Sequence, residues 1–126
     1  MKQWKKCSAL FLALVMLLAL AIPAGAVSPQ EDLSGHTIIL HTNDVHGGIA
    51  GYAAVAGLKQ AYQAAGAGVL LADAGDFAQG DPTVSVSQGA TAVELMNLAG
   101  YDVASMGNHE FDYGYQNLKD LEADAD

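Results

Sequence analysis

The sequence predicts an α/β fold on a parallel sheet, in the order strand, helix, strand, helix, strand, helix. Three observations carry that prediction. Short apolar, strand-like runs recur three times, residues between them keep a helical rhythm, and each run ends in Gly, Asn or Asp. Alternation of this kind is what right-handed crossovers between parallel strands produce.

The first run, Thr37 to Thr42 (TIILHT), is β-branched and apolar, a buried strand that ends in Asn43-Asp44. Within Ile49 to Ala65, Tyr52, Val55, Leu58 and Tyr62 recur at spacings of three and four and form one helical stripe. The second strand, Val69 to Ala74 (VLLADA), follows Ala65-Gly66-Ala67-Gly68 and runs into Gly75-Asp76. Ala92, Leu95, Met96 and Ala99 repeat the helical rhythm. Thr91 and Glu94 have the spacing of a capping box, and Gly100 stands where a C-cap glycine belongs. A third short strand, Asp102 to Met106 (DVASM), ends in Gly107-Asn108. Tyr113 to Ala125, with Leu118, Leu121 and Ala125 on one face, reads as a helix. Three strands are few for a parallel sheet, so one apolar face or edge is expected to stand open.

Residues 1–26 have the order of a secretory signal. Lys2, Lys5 and Lys6 give a basic start, Ala9 to Ile22 an apolar run, and Ala24-Gly25-Ala26 a small-residue cleavage pattern. The run is shorter than the roughly 20 residues of a membrane span, so no stable span is expected after cleavage. Residues 27–36 read as a flexible lead-in and 37–126 as a partial domain, truncated at its C-terminal side. Cleavage would remove Cys7, the only cysteine, and leave an exported product without a disulfide. It would also leave Lys59 and Lys119, with no arginine, facing 14 acidic side chains. That balance argues against a nucleic-acid polymer as partner. A small anionic substrate would need something cationic in the site, and a divalent metal held by carboxylates and histidines is the candidate.

In a parallel α/β sheet the C-terminal strand ends share one edge, where ligands bind. Here those ends carry Asp44-Val45-His46, Gly75-Asp76 and Gly107-Asn108-His109. Asp44 and His46 are two apart, so in extended backbone both point the same way and can share one cation. Asp76 follows a glycine that permits a close turn, and its two oxygens can bridge two ions. Asn108 offers a neutral carbonyl oxygen suited to a divalent ion. His109 and Asp112 are three apart, one helical turn, so the carboxylate can orient the imidazole and favour its protonated form.

The blocks HTNDVHG (His41–Gly47), DAGDFAQG (Asp73–Gly80) and MGNHEFDYG (Met106–Gly114) resemble the first three blocks of the calcineurin-like metallophosphoesterases. Phe111-Asp112 makes them most similar to the secreted 5'-nucleotidase branch. The resemblance covers Thr37 to Leu121. It implies the N-terminal part of an αββα sandwich, seen here as a βαβαβα half. It also implies two divalent ions, zinc, manganese or similar. Asp44 and His46 would bind the first, Asp76 would bridge, and Asn108 would bind the second. His109, oriented by Asp112, would stabilise charge on the transferred phosphoryl group. The implied activity is hydrolysis of phosphoesters, with 5'-nucleotides or 2',3'-cyclic nucleotides as substrates of the full-length form.

The family's remaining ligands, a downstream histidine and a Gly-His-x-His block, have no counterpart, since no histidine follows His109. The second ion would keep only Asp76 and Asn108, fewer than the three protein ligands of a catalytic zinc site. The segment alone is therefore expected to be inactive and to hold metal weakly. The alternatives are a thiosulfohydrolase-like dinuclear enzyme and a non-catalytic secreted metal-binding fragment.

Other polar residues receive plainer readings. His41 has the wrong parity for the site and is expected to be packed and hydrogen-bonded, while His36 is expected to be exposed. Asp73 is read as hydrogen-bonded support near the site. Glu110 is read as favouring the start of the following helix. Gln79 and Asp81 are placed in a loop without a role, Tyr52 and Tyr62 in the core, and Glu122, Asp124 and Asp126 on a solvated helix face.

Overall fold

The computed structural model describes residues 31–126. The expected signal segment, and residues 27–30 of the lead-in, lie outside the described residues. Residues 31–36 carry a turn in which Asp32 accepts the Ser34 N–H at 3.0 Å. Leu33 N–H donates to the Ala65 carbonyl at 2.8 Å, and His36 accepts from Gly68 N–H at 2.9 Å. His36 itself is exposed.

Eight elements follow: β1 (Thr37–Thr42), α1 (Ala50–Ala64), β2 (Gly68–Asp73), α2 (Pro82–Val86), α3 (Ala90–Ala99), β3 (Val103–Ala104), a 3-10 turn (His109–Phe111) and α4 (Gly114–Asp124). The strands form one sheet in the order β1-β2-β3, with both pairs parallel. Thr42 stands opposite Asp73, and Asp73 opposite Ala104, so the three strands finish together at one edge. That shared edge is where the chemistry-bearing loops begin.

β3 is shorter than the expected Asp102 to Met106. Its ladder is completed by Asp102 N–H to Leu71 O and Ser105 N–H to Asp73 O, each 2.9 Å, and stops because β2 ends at Asp73. The sequence reading missed α2, and its start explains Asp81. The Asp81 carboxylate accepts the Thr83 N–H at 2.9 Å and Pro82 takes the first helical position, so Asp81 is an N-cap and not an idle loop residue. The expected Thr91–Glu94 capping box does not form. α3 begins two residues earlier, after Gly89, and Ser87 Oγ accepts the Thr91 N–H at 3.1 Å. Gly100 ends α3 in the left-handed conformation, φ 76°, as a C-cap glycine does.

α1 and α3 pack on one another and α4 packs on α3. The core between them holds Tyr52, Phe77, Val84, Val93, Met96 and Leu121. Lys59 fastens α1 to the start of β3: its ammonium donates to Gly100 O and, at 2.8 Å, to the Asp102 carboxylate. That bond, with the Leu71 N–H at 2.7 Å, holds Asp102 below the usual carboxylate range.

The other sheet face is open. In β1, Ile38, Leu40 and Thr42 are half-buried while Thr37, Ile39 and His41 are exposed. The strand expected to be buried is thus covered on one side only. Ile39 is 65% exposed, and Leu70 and Val103 on the neighbouring strands are 40% and 54% exposed. Each forgoes much of the roughly 1.5–3 kcal/mol that full burial of such a side chain contributes. His41, expected to be packed and hydrogen-bonded, lies on this open face instead. Leu58 of the α1 stripe is also 39% exposed, while Tyr52 of the same stripe is buried.

Candidate metal centre

Asp44 and His46 leave β1 on a loop that is not extended. Their φ values are 53° and 46°, and Asp76, after β2, has φ 62°. Three of the four non-glycine residues with positive φ among the described residues are therefore proposed ligands. This conformation costs an L-residue roughly 1–2 kcal/mol, so neighbouring bonds must hold it. Asp44 N–H donates to Gly75 O at 3.1 Å and His46 N–H to Asp76 O at 3.0 Å. Asp44 and His46 thus converge through a left-handed loop laced to the next one, and not through strand alternation as the spacing suggested.

The outcome is compact. One donor atom from each of Asp44, His46 and Asp76 lies within 4.8 Å of the others. His46 Nε2 is 3.7 Å from Asp44 Oδ1. Two carboxylates and an imidazole suit a hard or borderline divalent ion. The donor chemistry fits.

The β3 loop closes the other side. His109 N–H donates to Asp76 Oδ1 at 2.9 Å, and this bond is the main reason that the Asp76 carboxyl is held below its usual range. The His109 ring meets the His46 ring edge-on, centroids 4.9 Å apart. Its Nδ1 is 2.6 Å from Asp112 Oδ2, across the 3-10 turn, which raises the imidazole above its ordinary value. The outer nitrogen, Nε2, is left for a ligand. Asn108 immediately precedes His109 and is exposed.

Two glycines let these loops touch. A Cβ on Gly75 would stand 2.4 Å from Gly107 N, and one on Gly107 would stand 2.2 Å from Asp76 Oδ1. No other residue fits at either position.

Two supporting carboxylates lie below. Asp73 accepts from Thr42 Oγ1 at 2.5 Å and from Gly75 N–H at 2.8 Å, and burial pushes its carboxyl up. Tyr101 OH joins this group, 2.9 Å from Thr42 Oγ1. Glu110 goes beyond its sequence reading. It stands in the first turn of the 3-10 helix, as expected, but is fully buried there, accepting N–H groups of Asp76, Phe77, Ala78 and Gly107. Only its place directly after His109 hinted at a part in the site.

The model for the calcineurin-like phosphoesterase family matches residues 37–124, from the first residue of β1 to the last of α4. The chain belongs to this family. Protein UshA of Yersinia enterocolitica is 39% identical to this calcineurin-like phosphoesterase over 111 residues, covering 79% of the chain and 20% of that relative. A human 5'-nucleotidase is 37% identical over 116 residues, again covering 79% of the chain and 20% of its own length. A bovine 5'-nucleotidase is 37% identical over 99 residues, covering 65% and 17% respectively. The chain thus spans about one fifth of the length of the curated relatives it matches. The matched stretch contains all three strand-end loops of the calcineurin-like phosphoesterase.

Proposed function

We propose that the chain is the metal-binding N-terminal part of an exported phosphoester hydrolase acting on small nucleotides. The favoured activities are those of a 5'-nucleotidase and a 2',3'-cyclic nucleotide phosphodiesterase. The observation that carries the reading is the convergence of Asp44, His46 and Asp76 at one sheet edge in a member of this family. The names of the 5'-nucleotidase relatives support the substrate class. The signal-like order of residues 1–26 supports export, and no helix among the described residues is long and apolar enough to cross a membrane.

Asp44, His46 and Asp76 would hold one divalent ion, and Asp76 with Asn108 would begin a second site. Bound divalent ions supply positive charge to phosphoryl oxygens and lower the pKa of water. His109 keeps Nδ1 on Asp112, so its Nε2 can present a proton to an oxygen of the phosphoryl group. Asp112 stabilises the charged ring through its 2.6 Å contact. Lys59 is engaged with Asp102 and does not offer its charge to an anionic substrate, a role that the ions and His109 would fill.

Because no histidine follows His109, the segment by itself is expected to bind one ion weakly and to turn over no substrate. Calorimetric titration of the purified chain with manganese or zinc, with a phosphatase assay alongside, tests this. Tight uptake of two ions with turnover would refute it. Asp76→Asn removes the negative charge and one of the two oxygens of the shared ligand, and the metal affinity is expected to fall about 10-fold or more. AMP, a cyclic nucleotide and a thiosulfonate, assayed on a polypeptide of the relatives' length that carries this segment, distinguish the nucleotidase reading from thiosulfohydrolase chemistry.

A further inference from the structure

The floor of the site is a carboxylate for which the proposed reaction has no use. A buried carboxylate persists only where hydrogen bonds replace its lost water, and four main-chain N–H groups do so at Glu110. Oε2 accepts from Asp76 at 2.9 Å and Gly107 at 2.6 Å. Oε1 accepts from Phe77 at 2.8 Å and Ala78 at 3.0 Å. Three of these donors belong to the loop after β2 and the fourth to the loop after β3. One side chain therefore joins the strand-end loop bearing Asp76 to the one bearing Asn108 and His109.

Asp76 is held at every polar atom of its backbone. Its N–H is on Glu110 and its carbonyl accepts from His46 N–H at 3.0 Å, while its φ of 62° is one an aspartate does not favour. We infer that Glu110 is a positioning residue that fixes Asp76 in this left-handed conformation and thereby sets the affinity of the Asp44–His46–Asp76 cluster for a divalent cation. The inference rests on the proposed reading of those three residues as metal donors. Without the carboxylate, Asp76 is free to relax to negative φ, and its side chain swings away from Asp44 and His46. Partners that orient metal ligands in this way typically contribute 10–100-fold in metal affinity.

Glu110→Gln preserves the shape but puts an NH2 group against two N–H donors, so one pair of bonds is lost and one kept. With the purified full chain, manganese titration is expected to show about 10-fold or weaker binding in E110Q. The visible absorption spectrum of the cobalt-loaded chain is expected to change with it. Glu122→Gln removes the same charge from the far end of α4 and is expected to match the parent in both. Parental affinity and spectrum in E110Q overturn this inference alone. A parent chain that takes up no metal overturns the functional reading and this inference with it. Should E110Q fail to fold, amide hydrogen exchange of the parent decides. Slow exchange at Asp76, Phe77, Ala78 and Gly107 supports the clamp, and exchange as fast as in open loops overturns it.

Discussion

Asp112 governs His109 through a single 2.6 Å contact, and the direction of its effect can be read from the pH dependence. Because the folded-state pKa of His109 is raised, the contact contributes stability that is fully present below the ordinary value of 6.5. That contribution is lost as pH rises through the higher folded-state value. Asp112→Asn is therefore expected to bring the His109 pKa down toward 6.5, followed by ring NMR signals across a pH series. The stability gap between parent and D112N should narrow in alkali, as measured by urea melts at several pH values. An unmoved imidazole titration would contradict the pairing. The His109–Asp112 relation was legible in the sequence, because a spacing of three works in any helical turn. The Asp44–His46 relation was legible in its result and not in its route. Two-residue spacing implied extended backbone, whereas both residues take φ near 50°, a choice made by the neighbouring loop.

At the scale of elements, the glycines separate two kinds of constraint. Gly100 has φ 76°, and the nearest atom to an added Cβ is Lys59 Nζ at 3.7 Å. Gly100→Ala should therefore cost strain alone, roughly 1–2 kcal/mol. Gly75 combines φ 101° with a Cβ position 2.4 Å from Gly107 N. Gly75→Ala adds overpacking to the strain, roughly 2–5 kcal/mol together, and should weaken metal uptake as well. Urea denaturation of both variants checks the order, and equal losses would show that the β2 and β3 loops are not in contact. Strands and long helices were legible because apolar residues recur over enough turns to define a face. The five residues of α2 span too little chain for a period, although Asp81-Pro82 carried the cap and the first-turn proline. The capping box failed because Gly89 starts α3 and leaves Thr91 already inside it.

For the molecule as a whole, the open sheet face dominates. Ile39, Leu70 and Val103 stand on adjacent strands with half or more of their surface in water, or close to it. Contiguous apolar surface of this kind promotes association despite net negative charge. The described segment is expected to self-associate as concentration rises, and Ile39→Thr with Leu70→Thr should shift it toward monomer, read by light scattering. A parent that stays monomeric throughout would contradict this. Glu122 and Asp124 lie on the solvated helix face expected of them, and Asp126 is exposed beyond the end of α4. The role of Glu110 could not be read from the chain, because its four partners come from two loops that meet only after folding. The left-handed backbone at the cluster has an effect on laboratory evolution. Replacing His46 by glycine removes a steric penalty of roughly 1–2 kcal/mol along with a metal donor. Selection for heat resistance alone would therefore favour variants that endure longer and bind nothing, so any such campaign on this protein needs a metal-uptake readout at every round.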